Sequence, residues 1–177
     1  MNKTLPAIAA AALMGLSATA SAQVSSPIIP LPLNPVVDSA HRTCTAKTAS
    51  GLGYTVLRAA PATAAKPGDA DVVLIDYLGY LAASGAVFDQ AQRTPMPVSG
   101  VIPGFSEGLK LAGKGSVMRL CIPAAIGYGA QASGPIPANS DLVFQVELLD
   151  FKSMAEIEAM QKQMEAQKPA EPQPAPK

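Results

Sequence analysis

The chain has no tryptophan, a single histidine and two cysteines, and aromatic residues make up only 5% of its 177 positions. Each shortage excludes something. The lone histidine, His41, has no cysteine or carboxylate at ligand spacing and reads as a solvated loop residue. A metal centre or a histidine-activated nucleophile therefore has no basis in this sequence. Charge of either sign is equally sparse, with 13 Lys and Arg against 13 Asp and Glu. Losing the first 22 residues takes Lys3 away and leaves 12 basic residues against 13 acidic ones, a net charge of −1. Such a balance sets up no field to draw in nucleic acid or an anionic membrane surface.

Long apolar runs are missing too, apart from one at the start. Lys3 precedes an apolar stretch over 5–16, and Ala20, Ser21 and Ala22 supply the small residues of a cleavage site. The pattern predicts a signal peptide over 1–22, cut after Ala22, and a periplasmic or secreted protein. The stretch is too short and too rich in alanine for a spanning helix, so no stable membrane insertion is expected once it is removed. Gln23, where a lipid-anchored protein would carry cysteine, argues against a lipid anchor.

Proline and glycine, by contrast, are plentiful and mark out the rest. Pro27, Pro30, Pro32 and Pro35 fall within 23–50, where no period of 2 or 3.6 persists. That predicts an extended linker of polyproline-II character, partly disordered. A domain is expected over 51–152. GYTVLR at 53–58 and DVVLIDYLGYLA at 71–82 read as strands, separated by the turn signal KPGD at 66–69. ASGAVF at 83–88 turns back into a short strand, and 89–97, with two prolines, reads as a loop or bulged edge. SGVIPGFSEGLKLAGKG at 99–115 fits a short helix. Pro103 suits its first turn, Phe105, Leu109 and Ala112 share one face, and Gly113 follows as a stop. SVMRLCIP at 116–123 alternates as a strand, 124–140 is a Gly/Pro/Ala loop, and DLVFQVELLDF at 141–151 is the last strand. A helix over 153–167 with a Met/Ile stripe and a disordered tail over 168–177 complete the chain. Such a stripe is either a frayed amphipathic tail or a seam for a partner. Strands, one helix, then strands predict an α+β fold: an antiparallel sheet packed on one short helix.

Five motifs occur together and in order: Y-x-G at 77–79, V-F-D at 87–89, V-I-P-G-F at 101–105, I-G-Y-G-A at 126–130 and I-P-x-N-x-x-L-x-F at 136–144. Over about residues 53–151 the sequence resembles the FKBP-type peptidyl-prolyl cis-trans isomerases. The resemblance implies a twisted antiparallel sheet wrapped over a short helix, with an apolar pocket between them. It also implies a set of pocket residues. Phe105 forms the aromatic floor, where most eukaryotic members carry tryptophan. Tyr77, Phe88 and Phe144 form the walls. Val101 and Ile102 form one side, with the Ile102 N–H free for a substrate carbonyl. Tyr128 closes the other side, Ile136 lies under the loop, and Asp89 is the one nearby carboxylate. Two positions depart from the family. Met96 stands where another pocket aromatic is usual, and Ala125 where many relatives are acidic. Met is adaptable but has no ring edge.

An enzyme of this class would act on proline-containing polypeptides, accept macrolide inhibitors, and need neither metal nor cofactor. The alternative is an FKBP-like chaperone or adaptor that holds such segments with little turnover. Because every pocket residue falls within 45–152, that span is expected to suffice for activity. Cys44 and Cys121 are left. In an exported chain a disulfide between them is chemically permitted, closing a loop of roughly 78 residues worth ~4 kcal/mol. The other reading is two free thiols, with Cys121 a small buried hydrophobe.

Overall fold

A computed structural model describes residues 26–32 and 36–167; the expected signal peptide and tail lie outside the described residues. Six strands form one antiparallel sheet: β1 (Ala46–Lys47), β2 (Gly53–Arg58), β3 (Asp71–Leu81), β4 (Val87–Pro97), β5 (Val117–Ile122) and β6 (Leu142–Ser153), in the spatial order β1-β2-β5-β6-β3-β4. Two helices complete it, α1 (Pro103–Leu111) and α2 (Met154–Ala166). The architecture is the expected α+β one.

Period-2 alternation divides the side chains between two faces. On β3, Val73, Ile75 and Tyr77 join Phe105, Leu109, Leu120, Phe144 and Val146 in the core beneath α1. Leu78 and Tyr80 point the other way and pack with Ile29, Val37 and Val143. Pro103 opens α1 with Ile102 at its N-cap, and the helix ends at Leu111. The helix is shorter than the 99–115 stretch suggested, because 98–100 form a separate 3₁₀ turn. Its contact with the sheet is close. A Cβ on Gly108 would lie 2.2 Å from Leu120 Cδ1, so only glycine lets the helix backbone settle there.

Of the two readings of 89–97, the bulged edge holds: it is most of an eleven-residue edge strand. Its pairing with β3 slips between Ile75 and Tyr77, and Arg93 takes φ of 48° there while its N–H donates to Asp76 Oδ1 at 2.6 Å. The bulge absorbs the extra residue that alternation alone could not place. The strand at 116–123 does not alternate between buried and exposed: Val117, Met118, Arg119 and Leu120 are all buried. Central strands are covered on both faces.

The cover on the second face comes from the segment expected to be a linker, which is a further correction. Ile29 and Val37 are 7% and 1% exposed. The buried Gln145 amide accepts from Ile29 N–H and donates to Ile29 O, both at 2.8 Å, in place of a strand pair. Arg119 donates to the Thr43 and Pro27 carbonyls at 3.2 Å each, and the Tyr80 hydroxyl donates to His41 O at 2.6 Å. Val37 N–H donates to Gly85 O at 2.8 Å. Cys44 and Cys121 are joined as a disulfide that fastens this strap beside β5. A proline-rich segment cannot supply a regular ladder, so scattered side-chain bonds and apolar anchors hold it instead.

At the far end, Ser153 caps α2: Glu156 N–H donates to Ser153 Oγ, and Ser153 N–H donates to the Glu156 carboxylate. Met154, Met160 and Met164 of its stripe are exposed.

Candidate functional site

Between the sheet, α1 and the 124–140 loop lies a cavity of about 350 Å³. Nine of the ten residues expected at the site line it: Tyr77, Phe88, Asp89, Met96, Val101, Phe105, Tyr128, Ile136 and Phe144. The tenth, Ile102, is the N-cap of α1, half-buried against the same core, and its carbonyl accepts from Phe105 and Ser106. Among the described residues its own N–H donates to no carbonyl. A helix start leaves such donors unpaired unless a side chain or a ligand takes them.

The aromatic rings form one connected set. Phe105, 3% exposed, sits at the base with its centroid 4.7 Å from that of Phe144. Phe88 meets Phe144 edge-on at 5.5 Å, and Tyr77 meets Phe105 edge-on at 6.3 Å. These are the offset geometries that ring quadrupoles favour. Residue pairing explains the cluster: Phe144 on β6 lies between Gly79 of β3 and Leu120 of β5. Gly79 makes the room. A Cβ there would lie 2.7 Å from both Phe144 Cε1 and Phe88 Cε2. The motif Y-x-G marks this position, but a spacer between two rings is visible only once the strands are paired.

At the rim the Tyr77 hydroxyl donates to Asp89 Oδ2 at 2.6 Å. Burial, then this bond and the nearby carboxylate charge, push the Tyr77 phenol well above its ordinary value, so it stays a neutral donor. The loop over 124–140 is ordered by its own bonds. Ser133 and Ile136 exchange N–H···O=C bonds at 2.9 Å each, and Ala124 N–H donates to Asp141 Oδ1 at 2.9 Å. This hairpin holds Ile136 inward at 5% exposure and brings Ser133, Gly134 and Pro135 to the cavity, which sequence reasoning passed over as plain loop. Gly100, from the 3₁₀ turn, lines it as well. Tyr128 is 40% exposed, and among the described residues its hydroxyl has no partner. A larger hollow of about 490 Å³ beside the disulfide contains none of these rings and is lined by a mixture of polar and aliphatic residues, Arg42, Lys47, Asp141, Ile122 and Leu142 among them.

An aromatic recess with free donors at its edge suits a compact apolar group flanked by carbonyls. Comparison with known proteins agrees. A family model described as FKBP-type peptidyl-prolyl cis-trans isomerase matches residues 63–149. A solved peptidyl-prolyl cis-trans isomerase from Pseudomonas syringae pv. tomato is 33% identical, with a TM-score of 0.56, over 61% of this chain and 80% of that one. The chain belongs to the FKBP-type peptidyl-prolyl cis-trans isomerase family.

Among individual relatives, the FKBP-type peptidyl-prolyl cis-trans isomerase FkpA of Escherichia coli K12 is 43% identical over 118 residues, 64% of this chain and 43% of that protein. The crystal structure of FkpA from Escherichia coli superposes with a TM-score of 0.57 at 39% identity, covering 61% of this chain and 51% of that one. The outer membrane protein MIP of Legionella longbeachae is 40% identical over 60% of this chain and 46% of its own length. The chain thus spans under half the length of the curated relatives it matches.

Proposed function

We propose that this protein accelerates cis-trans isomerisation of X–Pro bonds in exported polypeptides. The observation that carries the reading is the ring-lined cavity of about 350 Å³ with unpaired donors at its edge. Rotation about a prolyl amide faces a barrier of ~18–20 kcal/mol set by resonance. The planar ground state is polar and well hydrated; the twisted transition state has lost resonance and is less polar. A water-poor pocket therefore disfavours the planar form relative to the twisted one, which is the differential binding a catalyst needs. In this reading the proline ring rests on Phe105 between Tyr77, Phe88 and Phe144. Val101, Ile136 and the adaptable Met96 close around it. The Ile102 N–H and the Tyr128 hydroxyl bond flanking carbonyls, and the Tyr77–Asp89 bond fixes one wall. No proton is transferred.

Export is supported by the leader-like sequence at 1–22, by the Cys44–Cys121 disulfide, which suits an oxidising compartment, and by a relative named as an outer membrane protein. Macrolides shaped for family pockets are expected to compete, with affinity altered by Met96. The test is turnover of an X–Pro peptide by the full chain in a protease-coupled assay. Acceleration that a macrolide suppresses supports the reading. Tight binding of X–Pro peptides without acceleration overturns it in favour of a holding module.

A further inference from the structure

The polar groups of the cavity are uneven. A prolyl amide nitrogen carries no hydrogen, so an X–Pro segment calls mainly for donors toward its carbonyls, and the Ile102 N–H and the Tyr128 hydroxyl are of that kind. Asp89 is the opposite. It is the one charged side chain on the cavity lining, which includes no Lys or Arg to neutralise it. It stands exposed on the edge strand β4, its Oδ2 accepts from the Tyr77 hydroxyl at 2.6 Å, and among the described residues its Oδ1 has no partner. Tyr77 and Tyr128 beside it are neutral donors. A full negative charge therefore stands at the mouth of a site whose other groups are apolar or donate hydrogen bonds.

Resting on the isomerase reading, we propose that Asp89 is a specificity-determining residue that selects substrates with a basic residue beside the proline. The chain around a proline seated in the cavity must leave through the mouth, where a Lys or Arg side chain comes within reach of the free Oδ1. A Glu or Asp at the same place meets repulsion. Exposure to water keeps the effect modest and makes it fall with salt. A role as a neutral acceptor for a substrate N–H is separable, because asparagine keeps an acceptor and loses the charge.

The experiment compares kcat/KM of the full chain on peptides that differ only beside the proline, carrying Leu, Lys or Glu there, at low and high salt. Lys is expected to exceed Glu by about fivefold at low salt, with the ratio shrinking at high salt. Asp89→Asn should bring the ratio to about one even at low salt, and Asp89→Glu should retain it. Asp69→Asn removes an equal charge from a turn outside the cavity lining and should leave the ratio intact. A ratio that survives Asp89→Asn, ignores salt, or falls equally with Asp69→Asn overturns the proposal. Failure of all three peptides, Leu included, to turn over would instead overturn the isomerase reading beneath it.

Discussion

One sheet carries two differently closed faces. Beneath α1 the cover is a helix and a loop that meet around connected rings and leave a cavity of about 350 Å³. On the other side the cover is the strap formed by residues 26–32 and 36–43. It presses Ile29 and Val37 onto Leu78, Tyr80 and Val143, bonds Gln145 and Arg119 through its backbone groups, and ends in a covalent tie at Cys44. The same strands serve both faces, since β3 sends Tyr77 one way and Leu78 and Tyr80 the other. The open face is held by stiff rings and glycine spacers. The closed face relies on backbone carbonyls and a disulfide. Shape is kept on the first and chain entropy is restrained on the second.

Cutting the tie should have the largest effect and falls on the closed face. Replacing both cysteines by serine frees a link between residues 77 apart, with an expected loss of about 4 kcal/mol. It would appear as a lower urea midpoint under non-reducing conditions. Because the pocket residues lie on the opposite face, kcat/KM of the still-folded variant should change by no more than about twofold. Turnover that declines in step with stability would erase the distinction between faces. A chain starting at residue 45 loses Cys44, Ile29 and Val37 together and should fare worse, so the 45–152 span is not expected to be a robust unit.

Gly79→Ala strikes the open face. The new methyl meets two rings at 2.7 Å, with an expected cost of about 1–3 kcal/mol from overpacking. A fall in kcat/KM of about tenfold, ~1.4 kcal/mol of transition-state stabilisation, should accompany it. Unchanged turnover would mean that ring placement does not govern the site.

Tyr80→Phe returns to the closed face and removes the bond to His41 O, at about 1 kcal/mol. Its signature lies in pH. Burial pushes the Tyr80 phenol up to about 12 from its ordinary 10, although Arg119 pulls the other way. A folded-state value raised in this way stabilises fully below pH 10 and is lost as pH rises through about 12. Tyr77 is shifted in the same direction. The stability gap between parent and Tyr80→Phe should therefore narrow above pH 10. Urea midpoints that keep a constant gap would contradict the burial argument.

Tyr128→Phe should be the mildest for the fold. The side chain is 40% exposed, so stability should stay within about 0.5 kcal/mol. If its hydroxyl bonds a substrate carbonyl, kcat/KM should still drop by about two- to tenfold. Equal turnover in parent and variant would remove Tyr128 from the site.

Sequence reasoning reached the pocket more completely than the strap, for a physical reason. Tyr77, Phe88, Asp89, Phe105, Tyr128 and Phe144 lie in short motifs whose spacing is set by local structure: two strands, a helix start marked by Pro103, and a glycine-bearing loop. Local rules of turn, cap and alternation make the elements readable, and the resemblance of these motifs to the FKBP-type family is what marked their side chains as a pocket. The strap has no period. Its order comes from partners far away in the chain, with Ile29 meeting Gln145 across 116 residues and Pro27 meeting Arg119 across 92. Composition therefore pointed to a loose linker.

By itself the sequence determined the order of strands and helix, the α+β class and the apolar stripe of α1, because periodicity and turn chemistry act over a few residues. The set of rings around the cavity came from the resemblance of five motifs to the FKBP-type family. Only the tertiary structure decided that 89–97 is a bulged edge strand, that Gly79 separates two rings, that Arg119 and Gln145 are buried beneath the strap, and that Cys44 reaches Cys121. Each of those depends on which distant backbone lies alongside. Pairing across the sheet sets that, and no local window of residues contains it.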